Sequence, residues 1–157
     1  MVPLPGTLMI TARVPAVILA PMPQPSPKKA SAAPRAARPT VSVCRGCCCG
    51  TPAKVPLLDH EAQLTDLRAA LAEVAQVRRT DCLDVCKRAN VVVVQPSPAG
   101  RAAGGRPVWL GQVNDPGASA DIAAWVRAGG PGIAEPPAVL DLYAFRPSRR
   151  VRQEHED

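Results

Sequence analysis

All six cysteines of this 157-residue chain lie between Cys44 and Cys86. Four crowd into "CRGCCCG", residues 44–50, as Cys44, Cys47, Cys48 and Cys49; the other two, Cys82 and Cys86, form a CxxxC pair. Disulfide frameworks of secreted proteins spread their cysteines along the chain, so this clustering points to an intracellular metal site. The two sulfurs of a CxxxC lie on one side of a turn and can serve one centre. Tetrahedral sulfur coordination means zinc or an iron–sulfur cluster. Zinc sites most often pair two CxxC knuckles or a CxxC with histidines, and the sequence offers no second CxxC outside the crowded stretch. A [2Fe–2S] cluster needs four thiolates, two per iron, which two pairs of unequal spacing supply.

The elements around the thiols must bring residues 44–49 back to residues 82–86. "TVSVC" is a β-prone alternation that delivers Cys44 at its end. In "LDHEAQLTDLRAALAEVAQV", Asp59 is an N-cap, Glu61 suits the first turn, and Leu64, Leu67, Leu71 and Val74 form one buried helix face. "VRRT" is a short strand and "DCLDVCKRAN" a loop with one helical turn. In a βαβ unit the carboxyl ends of parallel strands share one edge of the sheet, so Cys44 leaves the first strand where Cys82 and Cys86 leave the second. "VVVV", residues 91–94, reads as a strand buried on both faces, and "PVWLGQV" as its antiparallel neighbour across the long "PSPAGRAAGGR" loop. "NDPG" is a turn, and "SADIAAWVRAGG" a last helix with Ser119 as N-cap, Ile122, Trp125 and Val126 on one face, and Gly129 as C-cap. The expected class is therefore α/β, β-α-β-β-β-α with a mixed central sheet. Residues 1–39, with nine of the 19 prolines, read as a disordered basic extension, 40–147 as the domain with a C-terminal arm, and 148–157 as a charged flexible tail.

Composition excludes several functions. Five of the basic residues, Arg13, Lys28, Lys29, Arg35 and Arg38, precede Cys44 with no acid among them, so nearly all of the net charge of +6 belongs to the extension. The domain itself has no basic stripe interleaved with aromatics, which argues against a nucleic-acid partner. "LMITARVPAVILA" is too short to span a bilayer and is broken by Arg13 and Pro15, so the expectation is a cytoplasmic protein with no membrane partner. "AGG" and "GGPG" lack the flanking strand and helix of a dinucleotide fingerprint, and no Ser, His and Asp set for hydrolysis is present.

The pattern Cys44, Cys49, Cys82 and Cys86 in this element order resembles the thioredoxin-like [2Fe–2S] ferredoxins, including the cluster-binding small subunit of NADH dehydrogenases and small actinobacterial ferredoxin-domain proteins. The stretch "TDCLDVCKRANVVVVQP" is especially similar to that family's second ligand pair and following strand, and the resemblance covers roughly residues 40–130. It implies a thioredoxin-like fold with Cys44 and Cys49 on one iron and Cys82 and Cys86 on the other. The extra Cys47 and Cys48 depart from the family pattern and stand as alternates to Cys49, which matches in spacing and precedes Gly50. Gly46 and Gly50 would let backbone N–H groups point at cluster sulfurs; Arg45, Lys87 and Arg88 would raise the potential and Asp81 and Asp84 lower it, unless these charges belong to a solvated loop.

The remaining candidates have plainer accounts. His60 reads as a first-turn helix residue rather than a ligand, and His155 as part of the tail. Trp109 and Trp125 read as core, and Tyr143 and Phe145 as anchors of an arm that docks on the domain. The expected function is a one-electron carrier with a [2Fe–2S] cluster, not an enzyme alone, serving a separate reductase or oxygenase, with a homodimer as one open assembly. The alternatives are a structural zinc module or a thiol-based redox or metal sensor built on Cys47, Cys48 and Cys49, and, third, a thiol oxidoreductase using Cys44 and Cys47.

Overall fold

β-branched residues build the sheet, and their alternation decides what each face carries. The structure, a computed structural model, describes residues 37–46 and 48–156, with Cys48 described by its backbone alone. Strand β1 (Thr40–Cys44) pairs parallel with β2 (Gln76–Thr80) and antiparallel with β3 (Val92–Gln95). Strand β4 (Val108–Leu110) lies antiparallel to β3, and β5 (Ala144–Phe145) antiparallel to β4, giving the order β2-β1-β3-β4-β5. The described residues thus form a mixed α/β domain with an open mixed sheet, and the hairpin between β3 and β4 follows the sequence reading.

Alternation divides the core in two. Val41, Val43, Val92 and Val94 pack with Leu64, Leu67 and Leu71 of helix α1 (His60–Leu71) and with Ile122, Trp125 and Val126 of helix α3 (Pro116–Arg127). Val91, Val93 and Trp109 face the other way, into a second cluster with Cys44, Cys49, Leu83 and Val151. Burying each leucine of the α1 face contributes about 1.5–3 kcal/mol. The capping of α1 agrees with the sequence: Asp59 Oδ1 accepts the Ala62 N–H at 2.9 Å.

Four expectations are corrected. Helix α3 starts earlier, with Pro116 in its first turn and Asp115, not Ser119, as N-cap; Asp115 Oδ1 accepts the Ala118 N–H, and Ser119 lies inside the helix. The loop before β4 contains a short helix α2 (Pro98–Ala102), capped by Ser97. Of the residues assigned to the extension, 1–36 lie outside the described residues, but Arg38 and Pro39 already belong to the domain: Arg38 Nη1 donates to Ala72 O and Pro39 O accepts the Gln76 N–H. The charged tail is helical as well, as α4 (Arg149–Glu156). Val151 is its buried contact, Ser148 Oγ accepts the Val151 N–H, and Trp109 Nε1 donates to Glu156 Oε1 at 2.8 Å.

The arm before α4 docks on the domain as expected. Phe145 sits edge-on to Trp109 with ring centroids 6.2 Å apart, and the Tyr143 hydroxyl donates to Asp115 Oδ2 at 2.7 Å. The Ala118 N–H and then this hydroxyl hold the Asp115 carboxyl below its ordinary range, and the same bond pushes the Tyr143 phenol up.

Helix α4 offers a direct check of this packing. Val151→Asp places a carboxylate in an apolar cluster and should release α4: amide exchange over 149–156 becomes fast and Trp109 fluorescence shifts red, while β1 and β3 stay protected. Unchanged protection of 149–156 would contradict the docked helix.

Candidate metal centre

The two cysteine loops are held together by their backbones. Past the ends of parallel β1 and β2, Arg45 N–H donates to Thr80 O at 2.9 Å and Gly46 N–H to Asp81 O at 2.8 Å, so the ladder continues into both loops. On the other side, Cys44 N–H donates to Val91 O and Asn90 N–H to Cys49 O, each at 2.9 Å. The turns Cys48–Gly50 and Cys86–Arg88 lie against one another. The glycines permit this closeness. A Cβ on Gly46 would stand 2.3 Å from the Asp81 backbone, and one on Gly50 2.5 Å from Cys44 O. The N–H of Gly46 thus goes to Asp81 O rather than to a sulfur, correcting one expectation for that residue.

Cys44 and Cys49, each 1% exposed, share one apolar cluster with Leu83, Val91, Val93, Trp109 and Val151, and Cys86 packs against it. The Cys44 thiol reaches Asp81 O at 3.4 Å. Cys82 is exposed, its sulfur 3.8 Å from that of Cys86, and it accepts the Asp84 N–H at 3.3 Å. Asp84, Ala89 and Asn90 in this loop have φ of 54°, 42° and 35°, a left-handed region that costs of order 1–3 kcal/mol per non-glycine residue. Cys47 lies outside the described residues, so its standing as an alternate to Cys49 has no structural counterpart, and the same holds for the side chain of Cys48.

The sequence reading left Arg45 between a centre-tuning charge and a solvated loop; it is neither solvated nor on the surface. It is 2% exposed. Its Nε donates to His60 O at 3.1 Å, Nη1 to Cys44 O at 2.9 Å and to Asn90 Oδ1 at 2.7 Å, and Nη2 to Gln63 Oε1 at 2.7 Å. All of these acceptors are neutral, and among the described residues no carboxylate forms an ion pair with Arg45; Glu61 pairs instead with Arg79 at 3.0 Å. Burial lowers the Arg45 pKa, offset in part by the fields of Glu61 and Cys44, yet a guanidinium keeps its proton in proteins. A buried charge left without its counter-charge costs several kcal/mol. Gln63 and Asn90 extend the network: both side-chain amides donate to Val113 O, Asn90 also to Gln63 Oε1, and Gln63 to Ser119 Oγ.

Lys87 and Arg88 are exposed; Arg88 lies over the Phe145 ring at 5.0 Å, and Asp84 pairs with Arg150. His60 is in the first turn of α1, as expected, but buried, with neither ring nitrogen hydrogen-bonded. Burial and then Arg45 hold its pKa below the ordinary 6.5; the carbonyls of Thr51 and Val55 counter part of that shift without hydrogen-bonding geometry. Trp109 and Trp125 are core residues, as read.

No family model, curated protein or solved structure matches this chain. Among the described residues, no three Cys, His, Asp or Glu side chains form a ready-made metal site. The donor set itself fits a thiolate-bound centre: Cys44 at the end of β1 and Cys49 in the loop after it, and Cys82 and Cys86 in a second loop whose backbone is clamped to the first, with one backbone N–H already directed at a sulfur. Metal uptake would take the proton that Cys44 now directs at Asp81 O.

Two measurements test this network. Asn90→Ala leaves Arg45 Nη1 and Val113 O short of partners and should lower stability by about 2–3 kcal/mol in urea unfolding. His60 is neutral in the fold, so its contribution is full above pH 6.5 and is lost as the pH falls through its lower folded value. His60→Leu should therefore hold stability at neutral pH and flatten its decline as the pH falls below 6.5; an unchanged slope contradicts the buried neutral imidazole.

Proposed function

We propose that this domain is a one-electron carrier that holds a [2Fe–2S] cluster on Cys44, Cys49, Cys82 and Cys86, with Cys48 or Cys47 as alternates to Cys49. The observation that carries the reading is the backbone clamp that sets the end of β1 and the loop after it, with Cys44 and Cys49, beside the loop after parallel β2, with Cys82 and Cys86. The strand order β2-β1-β3-β4, with β1 and β2 parallel and the next two antiparallel, supports the thioredoxin-like ferredoxin resemblance.

When bound, the cluster supplies reversible one-electron chemistry; the chain supplies ligation, burial and charge. Leu83, Val91, Val93, Trp109 and Val151 keep water from the inner pair of thiols, and Cys82 lies at the surface. Electrons would pass to a separate reductase or oxygenase in the cytoplasm, without nucleic acid or membrane. Among the described residues no helix is long and apolar enough to cross a membrane. The second reading, a zinc or thiol-sensing module, rests on the adjacent Cys47, Cys48 and Cys49.

Anaerobic purification with iron, sulfide and zinc analysis, visible absorption and reduced-state paramagnetic resonance decides between them. A red-brown protein with two irons and two sulfides and a reducible signal is expected. Cys82→Ser and Cys86→Ser should be colourless and Cys47→Ser coloured; a colourless Cys47→Ser changes the ligand set. Zinc without colour favours the module.

A further inference from the structure

We infer that Arg45 is the internal counter-charge of the centre and biases it toward its reduced state, a role that rests on the reading above. The guanidinium is buried, permanently charged and surrounded by neutral acceptors, while the nearby acid, Glu61, is paired with Arg79. A clamp between the loops needs hydrogen-bond donors but no charge. A charge held at such cost calls for an opposite one close by, and the residue it follows is Cys44. Metal-bound thiolates carry that charge. When an external low-potential donor delivers one electron, the centre gains one negative charge and Arg45 keeps its proton, so the cation favours the reduced form more than the oxidised one.

Burial gives the role a signature. Lys87 and Arg88 are exposed, so salt screens their effect on the centre; Arg45 is 2% exposed and largely escapes screening. The experiment is a redox titration of the intact chain, as wild type, Arg45→Met, Arg45→Lys and the double variant Lys87→Ala, Arg88→Ala, at low salt and at about 1 M KCl. Arg45→Met should have a lower midpoint potential at both salt concentrations, and Arg45→Lys should recover most of the difference. Any shift in the Lys87, Arg88 variant should vanish at high salt. An Arg45→Met protein with full iron content and the wild-type potential overturns the inference and leaves the carrier reading intact.

If Arg45→Met retains no iron, Arg45→Gln, which keeps donors without charge, replaces it. Loss of iron in both neutral variants but not in Arg45→Lys supports the counter-charge; loss in Arg45→Lys as well makes Arg45 a structural clamp and overturns it. A wild type that binds only zinc overturns the carrier reading and with it the redox bias, since zinc has no reduced state to favour, and leaves only the counter-charge to be judged. Arg45 is then judged by zinc affinity, which a counter-charge requires to fall in Arg45→Met and recover in Arg45→Lys. A wild type without metal overturns both.

Discussion

A guanidinium shut away from water must be solvated by the protein, and at Arg45 the acceptors come from Cys44, His60, Gln63 and Asn90. These residues belong to the end of β1, to helix α1 and to the stretch between the second cysteine loop and β3. None can move far without leaving a buried donor unpaired, and in a low-dielectric interior that loss is severe. The network therefore fixes the distance between parts of the chain that hydrophobic packing alone would leave free to slide. Through Gln63, Val113 O and Ser119 Oγ it reaches α3, so the two helices on one face of the sheet share the hub that aligns the cysteine loops.

The position of β1 explains why the thiols converge. It is flanked by β2 on one side and β3 on the other, so the loop that leaves it can be hydrogen-bonded along both edges. Arg45 and Gly46 continue the ladder to β2, while Cys44 and Cys49 bond to Val91 and Asn90 on the β3 side. A loop leaving an edge strand would have only one such neighbour. The strained backbone at Ala89 and Asn90 belongs to the same construction: the chain turns sharply there to enter β3 while delivering its polar side chain to Arg45.

Much of this was legible because apolar periodicity reports burial. The alternation at 40–44, the run at 91–94 and the spacing of Leu64, Leu67 and Leu71 locate the sheet and α1 before any coordinates. Arg45 could not be placed in this way, since its residue type ordinarily signals solvent and its acceptors are distant in sequence. A signal existed in Gln63, which occupies the apolar stripe one turn before Leu67, and in Asn90, which precedes the buried valine run 91–94. Helix α4 was hidden for the opposite reason. Val151 is its one buried residue, so no period can be read, and only the Arg150 and Glu154 spacing hints at a helix. At α3, Ser119 follows the true cap by one helical turn, and a serine is as good a cap as an aspartate on residue type; Pro116 favours Asp115.

Exposure is graded across the four thiols, and the gradient bears on how such a centre works. Cys44 and Cys49 are buried, Cys86 is intermediate and Cys82 is exposed. Thiolates placed in the apolar cluster would be unsolvated anions, and a lone unsolvated anion is as costly as a lone unsolvated cation. Under the proposed function, Arg45 and the inner thiolates would lower each other's cost, which neither could do from the surface, where water would screen them. Cys82 needs no such help, because it has solvent and the Asp84 N–H. Under the proposed function, charge is therefore balanced from inside at one pair of thiols, while the other pair is left open for an electron to enter or leave.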